Sequence, residues 1–274
     1  MTIQYIYLGR VEYAEALRLQ EELVELRRAE RAGNVLLLLE HPPVLTLGRH
    51  ANRANVLASD EVLAARGVTL HQISRGGDVT YHGPGQLIGY PIFDLRSLET
   101  ANGSRMGPVD FVRGMEEALI GLCGLYGVTA GRIAGLTGVW IGAESGGPAR
   151  KVGAIGIHVG RGIVSHGFAF NVRTDLRDFQ LINPCGITDK PVTSLEREVA
   201  DASTLPGLET MAQEAAQLFG EVFRRPVEQL ASLDGLRAFA SESASRQFPA
   251  ENRPVRVPCE VERLRGEPQR PVRA

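Results

Sequence analysis

Two extended runs, residues 151–159 and 163–172, are separated only by Gly160-Arg161-Gly162. Glycines flanking a single residue let the chain reverse at once, so the runs are predicted to pair as an antiparallel hairpin. Further strands are read at 3–8, 34–40, 44–47, 68–73, 86–93 and 139–141. His41-Pro42-Pro43 ends the second of these, because proline donates nothing to a ladder. A helix is expected at 11–28, where Ala16, Leu19, Leu23 and Leu26 share one face. Others are expected at 59–66 behind the cap Ser59, at 107–126 with Pro108 in its first turn, and at 206–223. Residues 174–181 read as a helical turn. Strands do not alternate regularly with helices. The predicted class is therefore α+β, with a mixed, mainly antiparallel sheet and flanking helices.

Composition excludes several classes. Hydrophobic residues make up 43% and charged residues 23% of 274, ordinary for a globular chain. The longest apolar stretch, 35–39, falls far short of the roughly 20 residues of a membrane span. The N-terminus carries no basic region followed by an apolar run, so no secretory leader is expected. A net charge of −2 counts against a nucleic-acid binder. Cys123, Cys185 and Cys259 have no paired spacing, so neither a disulfide framework nor a zinc site is expected, and the reducing cytoplasm is the expected location. Beyond about residue 241 the chain turns to Ser, Arg, Glu and Pro. We divide it into a catalytic domain, 1–225, and a partly disordered C-terminal extension, 226–274.

Of the 30 cationic side chains only Lys151 and Lys190 are lysine. Arginine does not give up its proton in proteins, so a lysine among so many arginines is either incidental or needed as a proton carrier. Lys151 begins the first strand of the hairpin, among Gly, Ala and Ile. It is either partly desolvated there or a strand-end residue facing water. His166, on the returning strand with Asn171, is either a base or a hydrogen-bonded core residue.

The densest chemical signal is SRGGDVTYHGPGQLIGYPIFDL, residues 74–95. Its glycines allow close backbone approach, and Arg75, Tyr81 and His82 add polar groups. Such a run cradles a phosphate, lines an acyl or pantetheine channel, or forms a glycine-rich turn. It is not a Walker A loop, since the GK[ST] ending is missing. A third segment, Asn183-Pro184-Cys185-Gly186, sets a thiol in a turn. Cys185 is either an accessible nucleophile or an incidental loop cysteine.

These segments, with EHPPVLTLGR upstream, KVGAIGIHV at Lys151, SHGFAFNV and NPCGI, resemble in order and content the lipoyl(octanoyl) transferases of lipoate biosynthesis. The resemblance spans about residues 3–223. It implies the fold of lipoate- and biotin-protein ligases. It implies transfer of an octanoyl group from octanoyl-acyl carrier protein to a lysine of lipoyl domains. The acceptors would be those of 2-oxoacid dehydrogenase complexes and the glycine cleavage H protein. Cys185 would accept the acyl group and Lys151 would be its acid/base partner. Arg75, Gly76, Gly77, Asp78, Val79, Thr80, Tyr81 and His82 would line the acyl site, with Ala154, Ile155, Gly156, Gly167, Phe168 and Ala169. No cofactor, metal, nucleic acid or membrane is implied. An acidic carrier would be drawn by Arg49, Arg75 and Arg150. Three other readings compete: an ATP-dependent lipoate-protein ligase, a non-catalytic acyl or carrier-protein binder, and a thioesterase.

Overall fold

The hairpin expected at 151–172 lies inside an eight-stranded sheet. The computed structural model describes residues 2–142, 147–183 and 190–234. In chain order its elements are β1 (Ile3–Arg10), α1 (Tyr13–Arg28), β2 (Asn34–Glu40), β3 (Val44–Leu47) and α2 (Asp60–Ala65). There follow β4 (Thr69–Gln72), β5 (Val79–His82), β6 (Gln86–Ile92), α3 (Pro108–Leu125), β7 (Ala130–Ile133) and β8 (Leu136–Ile141). The rest are β9 (Arg150–Gly160), β10 (Ile163–Asn171), α4 (Leu195–Glu198), α5 (Leu208–Phe223) and β11 (Val227–Gln229). The large sheet runs β11-β1-β2-β6-β10-β9-β8-β7, and a small one runs β4-β3-β5. Pairing is antiparallel except at β1–β11, β1–β2 and β3–β4. The class is α+β, as the sequence predicts.

The apolar run of β2 is explained by burial on both faces. Leu36 and Leu38 meet the core beneath α3 and α5, with Phe111, Met115, Leu119 and Phe219. Val35, Leu37 and Leu39 meet the core beneath α1, with Ala16, Leu19 and Leu23. Each such side chain contributes ~1.5–3 kcal/mol relative to exposure. Leu45, Val79 and Tyr81 form a separate core beneath the small sheet.

Three strands escape the sequence reading. β5 lies inside the glycine-rich run and is only four residues long. β7 is equally short and includes a glycine. β11 has three residues and no readable period; it pairs with Ile3, Gln4 and Tyr5, and Leu230 N–H donates to Tyr5 O at 2.8 Å. The sheet thus continues past Arg225. The turn expected at 174–181 is a 3₁₀ helix, Leu176–Leu181, whose cap Asp175 accepts from the Arg177 amide. Among the described residues no helix is long and apolar enough to cross a membrane.

Candidate active site

Lys151 enters β9 at a break in register. Val139 faces Gly153 while Trp140 faces Lys151, so β9 carries one extra residue there, Val152. A bulge of this kind re-aims the side chains around it. Val152 is buried in the core beneath α3, and the Cβ direction of Gly153 meets Leu119 of that helix. Two consecutive residues thus face one core, and Lys151 lines a cavity. Its Nζ stands 4.5 Å from the ring centroid of the buried Trp140. That contact favours the ammonium form. The lysine backbone is fixed as well: its N–H donates to Pro191 O, and its carbonyl accepts from Thr193 N–H, both at 2.9 Å.

The cavity, about 390 Å³, lies between the Arg75 loop and the β9–β10 hairpin. The two sides nearly touch. Gly76 N–H donates to Ile157 O at 3.0 Å, and a Cβ on Gly156 would stand 2.9 Å from Gly76 O. Only glycine permits that approach. Arg75, Gly76, Gly77, Val79, Thr80 and His82 line one wall. Ala154, Ile155 and Gly156 of β9 join Gly167, Phe168 and Ala169 of β10 on the other.

Two of the expected lining residues stand elsewhere. Tyr81 points to the opposite side of β5 from Thr80 and His82, as strand alternation requires. It packs on Phe179, and its hydroxyl donates to Asp178 at 3.0 Å. Asp78 accepts from the Asn52 amide at 3.1 Å and from the Asn55 side chain, and so braces the loop from outside. Cys185 lies outside the described residues. Asn183, two residues before it, donates its N–H to Asn55 O at 2.7 Å.

Arg75 lines the cavity, but its guanidinium is committed to the loop. Nη2 donates to Thr46 O and to Asp78 O, both at 2.8 Å, and Nη1 donates to Gly76 O at 3.0 Å. It is buried, and Arg150 is paired with Glu198 at 2.7 Å. Of the three arginines expected to draw an acidic carrier, Arg49 alone is exposed and outside such a clamp. The buried fork braces the loop at its close approach to β9, a role that the sequence does not distinguish from ligand binding.

The sequence reading missed Tyr13 of α1 and Tyr90 of β6, which also line the cavity. Tyr90 falls inside the glycine-rich run; Tyr13 has no local signal. Beside them are three imidazoles that burial holds neutral. His82 is pushed down to about 3, and its Nδ1 pairs with Gln86 Oε1 at 2.9 Å. His41, pushed down to about 4, lies 2.8 Å from the Tyr90 hydroxyl. His166, also pushed down to about 4 by burial and then by the Arg75 charge, lines the cavity from a left-handed backbone position, φ 56. Apart from Lys151 and the Arg75 guanidinium, which Thr46 O and Asp78 O hold in the loop, the walls are therefore apolar or neutral. Among the described residues no cluster of three His, Cys, Asp or Glu could hold a metal ion.

The lipoyl protein ligase A/B catalytic domain model matches residues 12–217. The octanoyltransferase of Acidobacterium capsulatum is 58% identical over 228 residues, covering 83% of this chain and 92% of the relative. That of Koribacter versatilis is 50% identical over 234 residues, covering 85% and 89%. Among solved structures, a bi-partite lipoate protein ligase from Thermoplasma acidophilum aligns with a TM-score of 0.63 and 16% identity, covering 92% of this chain and 95% of that one. At that identity the likeness is one of fold.

Proposed function

Because the chain belongs to the lipoyl protein ligase A/B catalytic domain family, we propose that it is an octanoyltransferase working through a Cys185 thioester. The donor is octanoyl-acyl carrier protein. The acceptor is a lysine of a lipoyl domain, in 2-oxoacid dehydrogenase complexes or the glycine cleavage H protein. The observation that carries the reading is the setting of Lys151. It lines the cavity, and its backbone is bonded to Pro191, six residues after Cys185 in the chain.

In the first half-reaction the Cys185 thiolate attacks the carbonyl carbon of the donor thioester. The pantetheine sulfur leaves and takes a proton from the Lys151 ammonium. Octanoyl is now a thioester of Cys185, at nearly unchanged energy, so no ATP is consumed. In the second half the acceptor amine attacks that carbonyl. Lys151, now neutral, takes the amine's proton, the amide forms, and Cys185 leaves as thiolate. A thiol and an amine in close contact titrate as a pair and favour thiolate with ammonium. The octanoyl chain occupies the cavity between Ile155 and Phe168, where the buried histidines are neutral and the Arg75 guanidinium is taken up by loop carbonyls. We assign this chemistry to residues 1–225 and to the cytoplasm, where the thiol stays reduced.

The lipoate-ligase fold makes an ATP-dependent ligase the reading to exclude. With octanoyl-acyl carrier protein and a lipoyl domain, the amide product should form without ATP. With octanoate, ATP and magnesium, no acyl-adenylate should appear. Adenylate formation, or an ATP requirement, would contradict the proposal.

A further inference from the structure

Lys151 has a neighbour that neither its own strand nor the cavity accounts for. Gly138 of β8 sits at φ +124, and a Cβ there would stand 3.3 Å from Lys151 Cε and 2.6 Å from Gly153 O. The space of the missing side chain is where the lysine stem runs. The amine at the end of that stem lies over the Trp140 ring, its Nζ 4.5 Å from the centroid. The amide of Gly138 donates across to α3, to Glu116 Oε1, at 2.9 Å.

Glu116 is completely buried. Its second oxygen accepts from Arg113 Nη1 at 2.6 Å and from Arg132 Nε at 3.0 Å. Burying a carboxylate is costly even with such partners, and apolar side chains would join α3 to the β7–β8 hairpin at no greater cost. What apolar packing does not do is fix the direction of one backbone amide. Here the amide so fixed belongs to the residue against the lysine stem, and Arg132 ties β7 to the same carboxylate.

We infer that Glu116 is a positioning residue for Lys151: through the Gly138 amide it fixes the β8 backbone against which the lysine stem lies on its way to the Trp140 ring. The inference rests on Lys151 being the proton carrier of the proposed transfer. Its test is the lysine's geometry, which is read apart from turnover.

The chain has only two lysines, so isotope-labelled lysine in a Lys190→Arg background reports Lys151 alone. The Trp140 ring current should displace its ε-methylene signal upfield. In Glu116→Gln, with the melting temperature recorded alongside, most of that displacement should vanish and the titration midpoint of the Lys151 amine should move. The kcat of octanoyl transfer should fall by on the order of 10- to 100-fold with KM for the donor unchanged. A wild-type displacement and midpoint in Glu116→Gln would overturn the inference, whatever the melting temperature. Loss of both with undiminished turnover would uphold the positioning and refute the proton-carrying role instead. Should Glu116→Gln not fold, Arg132→Gln loosens the same carboxylate from a partly exposed position and must show the same loss in smaller measure.

Discussion

The side-chain amide of Asn171 donates to the backbone carbonyl of Thr193 at 2.9 Å, within the buried interior. Thr193 N–H in turn donates to Lys151 O, and Asn171 Oδ1 accepts from Gln86, which pairs with His82. One buried chain of hydrogen bonds thus joins the cavity wall to the lysine strand. Replacing Asn171 with Leu leaves one N–H of the Gln86 amide without its acceptor, the Tyr81 carbonyl at 3.3 Å being the partner that remains, and takes the Asn171 donor away from the Thr193 carbonyl. Each buried orphan costs ~1–3 kcal/mol, so denaturant unfolding should show a loss of about 2 kcal/mol or more. An unchanged midpoint would mean that the chain of bonds is incidental.

Stability should fall in mild acid. His41, His82 and His166 sit at about 4, 3 and 4 in the fold, against 6.5 ordinarily, because burial disfavours the imidazolium. Below pH 6.5 the unfolded chain takes up protons that the folded chain refuses. The stability they contribute is therefore full above 6.5 and is lost as pH falls towards 4, at up to ~1.4 kcal/mol per pH unit for each group. Thermal melts from pH 7.5 to 4.5 should show this decline, with the onset near 6.5. A flat profile over that range would contradict the neutral burial of these rings.

The hairpin, the buried strand β2 and the four longer or well-capped helices are legible because periodicity and turn residues are local signals. The Gly-rich run is legible as a site because glycine, arginine and histidine rarely concentrate without reason. What is not legible depends on partners distant in sequence. Tyr81 and His82 look alike as neighbours; only the pairing of β5 with β3 decides which one faces the cavity. Arg75 reads as an open fork until Thr46 and Asp78 are seen to occupy it. Tyr13 reaches the site from a helix at the far end of the chain, and β11 depends wholly on β1.

Lys151→Arg keeps the cation but cannot cycle a proton. Octanoyl transfer should fall by ~10²–10⁴-fold, the usual span for a general acid–base group. The guanidinium can still stack on Trp140, so the melting temperature should change little. Near-normal turnover would reduce Lys151 to an electrostatic or structural part.

Carrier docking should depend on Arg49. It is exposed, and after burial its charge is the next cause that disfavours the His158 imidazolium, whereas Arg75 and Arg150 are occupied. Arg49→Glu should lower kcat/KM for octanoyl-carrier protein and weaken its salt dependence, since exposed charges are screened over ~10 Å at 0.1 M. A small octanoyl thioester as donor should be unaffected. Equal losses with both donors would remove Arg49 from docking.

Octanoyl should rest on Cys185 between donor and acceptor. Intact-mass spectrometry after mixing the protein with octanoyl-acyl carrier protein, without a lipoyl domain, tests it most directly. Wild type, Cys123→Ser and Cys259→Ser should each gain one octanoyl group that disappears when a lipoyl domain is added, and Cys185→Ser should gain no thioester and transfer nothing. Undiminished transfer by Cys185→Ser would rule out a thioester at Cys185 as the intermediate.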